Sequence, residues 1–106
     1  MASRRKFPAP PYATVNRAAL RYLPILLEHW LPDGRLEGRE WVALNPRRTD
    51  RRPGSFKVNM ATGRWADFAI GKGGGDVVSL AAYLEGVSQA EACRELARLL
   101  GIDDGR

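Results

Sequence analysis

Residues 71–75, Gly71-Lys72-Gly73-Gly74-Gly75, put four glycines into five positions between a strand-like segment and a helix-like one. This stretch marks a sharp turn of the chain, and a phosphate, a metal centre or a tight corner would each call for it. The phosphate explanation fails on detail. A Walker loop has Ser or Thr directly after its lysine, where this chain has Gly73, and a dinucleotide fingerprint has glycine where Asp76 stands. Asp76 is better read as the N-cap of the following helix, accepting amide hydrogen bonds and placing negative charge at the positive end of the helix dipole. That carboxylate would repel a phosphate.

The elements on either side follow from spacing. In Ser55–Met60, Phe56, Val58 and Met60 share one face, and Ser55, Lys57 and Asn59 share the other. Ala61-Thr62-Gly63 then turns the chain, with Gly63 suited to a left-handed conformation, and Arg64–Phe68 returns as the partner strand of a hairpin. Beyond the glycines, Val77, Leu80, Ala81 and Leu84 have helical spacing, and Gly86 stops that helix. Ser88 and Glu91 form a capping box for a last helix with apolar face Ala92, Cys93, Leu96, Leu99 and Leu100, ended by Gly101. Upstream, Glu40–Leu44 reads as a short strand. The stripe Val15, Ala19, Tyr22, Leu23, Leu26 and Trp30 reads as a helix interrupted at Pro24, either kinked or split into two short helices near Leu23. Pro32-Asp33-Gly34 makes a turn.

The expected class is α+β. A small antiparallel sheet, the hairpin plus one or two further strands, is flanked by an N-terminal helix and two C-terminal amphipathic helices. Residues 1–13 read as a flexible basic and proline-rich arm, 14–102 as a single module and 103–106 as a tail. A chain of 106 residues supports one modest core and leaves no room for a two-domain enzyme. No apolar run approaches the eighteen or so residues of a membrane helix. The N-terminus lacks the apolar stretch of a secretory signal, and the one cysteine allows no internal disulfide. A soluble, cytoplasmic protein without a membrane partner is expected.

Charge narrows the choice of partner. Residues 1–72 carry a net charge of +8 and residues 73–106 one of −3, and 14 of the 17 basic side chains are arginine, whose planar fork suits phosphates and base edges. Tetrahedral zinc takes four Cys or His ligands, and the chain offers only His29 and Cys93. His29 reads as a polar or capping residue at a helix end and Cys93 as a buried, inert thiol. No nucleophile–base pair is visible, so no catalytic residue, cofactor, metal or small-molecule substrate is assigned. What remains is Arg47, Arg48, Arg51, Arg52, Lys57 and Arg64 with Trp41, Phe56, Trp65 and Phe68 interleaved. Cations for phosphates beside aromatic faces for bases are the ingredients of single-strand binding. Phe56 reads as core, with Trp65 and Phe68 sealing the same core; Trp41 or Trp65, where exposed, would stack a base.

The run NPRRTDRRPGSFKVNMATGRWADFAIGKGGGDVVSL, continuing into AAYLEGVSQAEACRELARLLGI, resembles the N-terminal zinc-binding domain of bacterial-type DNA primases, in the form carried by plasmid and phage proteins. In that family a Cys-Pro-x-His stretch leads to a Pro-Ser-Phe-x-Val strand, a hairpin, a Cys-x-x-Cys turn and a Gly-Asp that opens a helix. Here Asn45-Pro46 stands at the first cysteine-proline. Pro53-Gly54-Ser55-Phe56-Lys57-Val58-Asn59 matches the strand with one residue inserted, and Gly75-Asp76 followed by Ser79 matches the helix start. The second cysteine pair falls on Phe68 and Gly71 and the histidine region on Arg47 and Arg48, so all four ligands are absent. The similarity spans residues 35–102. It implies a zinc-ribbon-like module without zinc, its glycine corner held instead by Trp65, Asp67 and Phe68.

The resemblance also implies a non-catalytic role at DNA, engaging a single-stranded template in replication of a plasmid, phage or mobile element. Primer synthesis in the family belongs to a separate catalytic domain. On this reading Arg47, Arg48, Arg51, Arg52, Lys57 and Arg64 contact phosphates, and a primase catalytic domain or a helicase is a further partner. Two rival readings stand beside it. One is a protein-interaction module whose acidic helical back docks onto such a replication partner, with DNA binding lost; the other is a small enzyme using the glycine corner.

Overall fold

The computed structural model of this chain describes residues 11–47 and 55–102. They form four helices and one five-stranded sheet. The helices are α1 (Tyr12–Arg21), α2 (Leu23–Trp30), α3 (Val77–Glu85) and α4 (Gln89–Leu100), and the strands are β1 (Arg35–Glu37), β2 (Glu40–Ala43), β3 (Phe56–Asn59), β4 (Trp65–Asp67) and β5 (Lys72–Gly74). All neighbouring strands are antiparallel and lie in chain order, which makes the sheet a meander. The class is α+β. The expected arm, residues 1–13, falls mostly outside the described residues, and the tail, 103–106, wholly so.

The N-terminal stripe resolves into two helices. Proline is tolerated in the first turn of a helix, where its missing N–H has no intrahelical acceptor, and Pro24 occupies that turn of α2. The break falls at Tyr22, and α1 begins at Tyr12, two residues before the expected Thr14. Asn16 of α1 accepts the Val78 N–H at 2.8 Å, which satisfies one of the orphan donors at the start of α3 and ties the two helices together. Asp76 caps α3 in a reciprocal box with Ser79, and Gly86 ends it at φ +70°. Ser88 accepts the Glu91 N–H at 3.1 Å, which is one half of the expected box.

One face of the sheet supports the core. Phe56, Val58 and Trp65 point inward to Val15, Leu23 and Leu27 from the first two helices, Val77, Val78 and Leu80 from α3, and Cys93 and Leu96 from α4. Phe56, Trp65 and Tyr83 form an aromatic cluster with ring centroids 4.8–6.3 Å apart. Burial of this apolar surface is the main favourable term in a domain of this size.

Two expectations are corrected. The glycines do not form a corner between a strand and a helix. Gly71, at φ +69°, turns the chain after the Asp67 carbonyl accepts the Ile70 and Gly71 N–H groups, and Lys72–Gly74 runs back as a fifth strand. A side chain at Gly73 would put Cβ 2.8 Å from the Trp65 carbonyl oxygen, so close approach of two backbones requires glycine here. Phe68 does not seal the core. Trp65 and Asp67 point inward, so strand alternation turns Phe68 to the opposite face, where it is 70% exposed. The strand β1, three exposed residues paired to β2, carries no apolar alternation and was not expected.

Candidate nucleic-acid interface

The helices cover one face of the sheet; the other is open around β3–β5, while Val42 of β2 on that side is 7% exposed. The strand register carries a row across the open face from Arg35 through Val42, Lys57 and Ala66 to Gly73, and a second row from Glu37 through Glu40 to Asn59. Arg64 flanks the second row, its carbonyl accepting the Asn59 N–H at 2.7 Å. At the middle of the face the small residues Ala66 and Gly73 leave a depression of about 480 Å³, walled by Lys57, Arg64, Phe68 and Glu40.

Of the described residues, this face carries three cations, Arg35, Lys57 and Arg64, against two carboxylates, Glu37 and Glu40, the latter at the wall of the depression, together with one exposed aromatic ring. Among the described residues the one ion pair joins Arg35 to Glu37 at 3.1 Å, so neither Lys57 nor Arg64 is neutralised by a carboxylate there. Asn59 accepts the Ala61 and Thr62 N–H groups on Oδ1 at 2.8 and 3.0 Å, which shapes the hairpin loop, and the residue lines the depression. An exposed phenyl ring, two unpaired cations and a flat floor without side-chain bulk form a surface on which a base can stack while its phosphates meet Lys57 and Arg64.

The remaining expected site residues divide sharply. Arg48, Arg51 and Arg52 lie outside the described residues. Arg47 does not join the sheet face. Its Nη1 donates to the Tyr83 carbonyl at 2.8 Å and its guanidinium sits 5.0 Å from the centre of the Tyr83 ring, at the C-terminal end of α3, where the helix dipole favours a cation. Trp65 is 6% exposed, and its Nε1 donates to Ser79 Oγ at 2.8 Å. Trp41 is half-buried on the helix-facing side, with Nε1 donating to the Leu31 carbonyl at 3.1 Å. Neither indole is free to stack a base. Phe68 is the aromatic that the open face presents, and two-residue alternation from Trp65 and Asp67 was the signal for it.

Where the resemblance expects zinc ligands, the side chains do not suit the metal. Asn45, 3% exposed, donates from Nδ2 to Asp67 Oδ2 and to the Tyr83 hydroxyl, both at 2.8 Å, and accepts the Arg47 N–H on Oδ1 at 2.8 Å. Asp67 is fully buried and accepts the Ala69 N–H at 3.0 Å. Phe68 faces solvent and Gly71 has no side chain to offer. No thiolate or imidazole reaches the place, and among the described residues no three His, Cys, Asp or Glu side chains gather as a metal site would need. A hydrogen-bonded amide–carboxylate pair closes this end of the sheet.

No protein-family model and no curated protein matches this chain. The site therefore stands on its own geometry. No helix among the described residues is long and apolar enough to cross a membrane.

Proposed function

We propose that this chain is a non-catalytic module that binds single-stranded DNA, of the type found at the N-terminus of primases but built without zinc, and that it serves replication of a plasmid, phage or mobile element. The observation that carries the reading is the open sheet face, where Lys57 and Arg64 lack carboxylate partners and Phe68 stands exposed over the Ala66–Gly73 floor. A free base has a face to lay on a phenyl ring, whereas a paired and stacked base does not, so the aromatic favours single strands over duplex. Phosphate attraction supplies most of the affinity of such surfaces, and on this face Lys57 and Arg64 would provide it.

The test is fluorescence anisotropy with a labelled oligothymidylate. Binding should weaken as salt rises, with a log–log slope of about −0.7 for each phosphate neutralised. Lys57→Glu with Arg64→Glu should abolish it, and duplex of the same length should bind more weakly. No binding at low salt, or binding that the double charge reversal leaves unchanged, would refute the reading.

A further inference from the structure

The helical layer carries a second open surface, which shares no lining residue with the sheet face. Between the end of α2 and the pair α3 and α4 lies a groove of about 350 Å³ with Trp30, Leu96 and Leu99 on its walls and Ala81 and Ala92 at its base. The sequence of α4 explains why it is apolar. Ala92, Leu96 and Leu99 follow one another at i, i+4 and i+7, so the stripe that buries Leu96 in the core continues outward to Leu99, which is left 67% exposed. Trp30, only partly buried, lines the same opening.

The rim is acidic. Glu85 and Glu95 stand at its edges with Arg98, and among the described residues neither carboxylate takes part in an ion pair. Any occupant that covers the apolar wall also removes water from these two carboxylates. Arg98 on the same rim can offset one of them, but an apolar segment without charge would leave the excess carboxylate uncompensated, and an acidic one would add repulsion. A cation beside the apolar side chain restores the balance.

We propose that this groove is a docking site for a partner protein segment that presents one or two large apolar side chains flanked by arginine or lysine. The volume lies at the lower end of the range for built pockets and suits a few side chains rather than a folded domain. Recognition follows the anchor-in-groove mode, in which apolar contacts supply affinity and the charged rim selects the partner.

The probe is a displayed library of random dodecapeptides panned against the full chain, followed by titration of the enriched peptides as synthetic molecules with the indole N–H signals monitored by NMR. Enriched peptides should combine an aromatic or leucine with neighbouring arginine or lysine, and should shift the Trp30 signal. Their affinity should fall at least ten-fold for Glu85→Lys with Glu95→Lys, and separately for Leu99→Ser. All these substitutions are on the surface, so circular dichroism and the thermal midpoint should stay at wild-type values, and oligonucleotide binding should be unaffected. The proposal is overturned if the library yields no peptide that perturbs Trp30, if the enriched peptides carry no excess of basic residues, or if the charge-reversed variant binds them equally well. Concentration-dependent self-association that occupies the groove would assign it to a second copy of the chain and overturn the proposal likewise.

Discussion

The side-chain amide of Asn45 donates to the buried carboxylate of Asp67 across 2.8 Å, joining the chain just after β2 to the inward face of β4. The same nitrogen reaches the Tyr83 hydroxyl on α3, so one residue links two strands of the sheet to the helical layer. Asn45→Ala removes a donor from a fully buried carboxylate and an acceptor from the Arg47 N–H. It should cost roughly 1–3 kcal/mol, read as a lower urea midpoint at unchanged slope. Since hydrogen bonds close this end of the sheet, chelators should leave the wild-type midpoint where it is. One tightly held zinc per chain by elemental analysis would contradict this account.

Adjacent glycines should respond differently to the same substitution. A methyl at Gly74 would collide with the Trp65 indole nitrogen and Ser79 Oγ, the two atoms of a partly buried hydrogen bond, whereas a methyl at Gly75 meets nothing within 4 Å. Gly74→Ala should destabilise by about 1–3 kcal/mol as the bond is displaced. Gly75→Ala should stay within about 0.5 kcal/mol of wild type. Thermal unfolding of the two single variants separates them, and equal midpoints would place the strain elsewhere.

On the proposed function, Phe68 and Trp65 divide binding from stability. Its ring is largely exposed, so Phe68→Ala should change the denaturation midpoint little, within about 0.5 kcal/mol. The same change should weaken oligothymidylate binding by roughly 1–3 kcal/mol if a base stacks on the ring. Trp65→Ala should behave in the opposite sense, with a loss of about 3–5 kcal/mol in stability. A Phe68 variant that unfolds easily yet binds DNA normally would reverse the assignment of the two aromatics.

Cys93 is enclosed by the core, and burial pushes its thiol above the ordinary value of 9.0; Arg94 opposes the shift in part and Asp76 adds to it. The folded state thus holds the thiol proton more tightly than the unfolded chain does. The associated stability is fully present below the ordinary thiol range and is lost as the pH rises through the raised folded value. Stability should decline above about pH 9 by a component that Cys93→Ala removes. In native buffer iodoacetamide should label the thiol only as fast as the protein opens, and labelling at the rate of a free thiol would show that the core does not enclose it.

The sequence by itself determined the elements whose causes are local. The Asp76 and Ser88 caps, the glycine stops at Gly86 and Gly101, the alternation of Phe56 with Val58, and the helix break beside Pro24 each depend on residues within four positions of one another. Such short-range terms act before the chain is compact. The buried thiol at Cys93 was legible in the same way, from its place on an apolar stripe. Local alternation could have placed Phe68 outward, but only tertiary structure decided which of the tryptophans are withdrawn from the surface. Trp65 and Trp41 are withdrawn by hydrogen bonds to Ser79 and Leu31, residues 14 and 10 positions away. The fate of Arg47 rests on Tyr83, 36 positions distant, and the pairing of Asn45 with Asp67 spans 22. The strand β5 likewise forms because the Trp65 backbone is there to pair with it, in a segment whose glycines carry no strand propensity. These outcomes come from packing and pairing between distant segments, whose free energy exceeds local preference once the core has assembled.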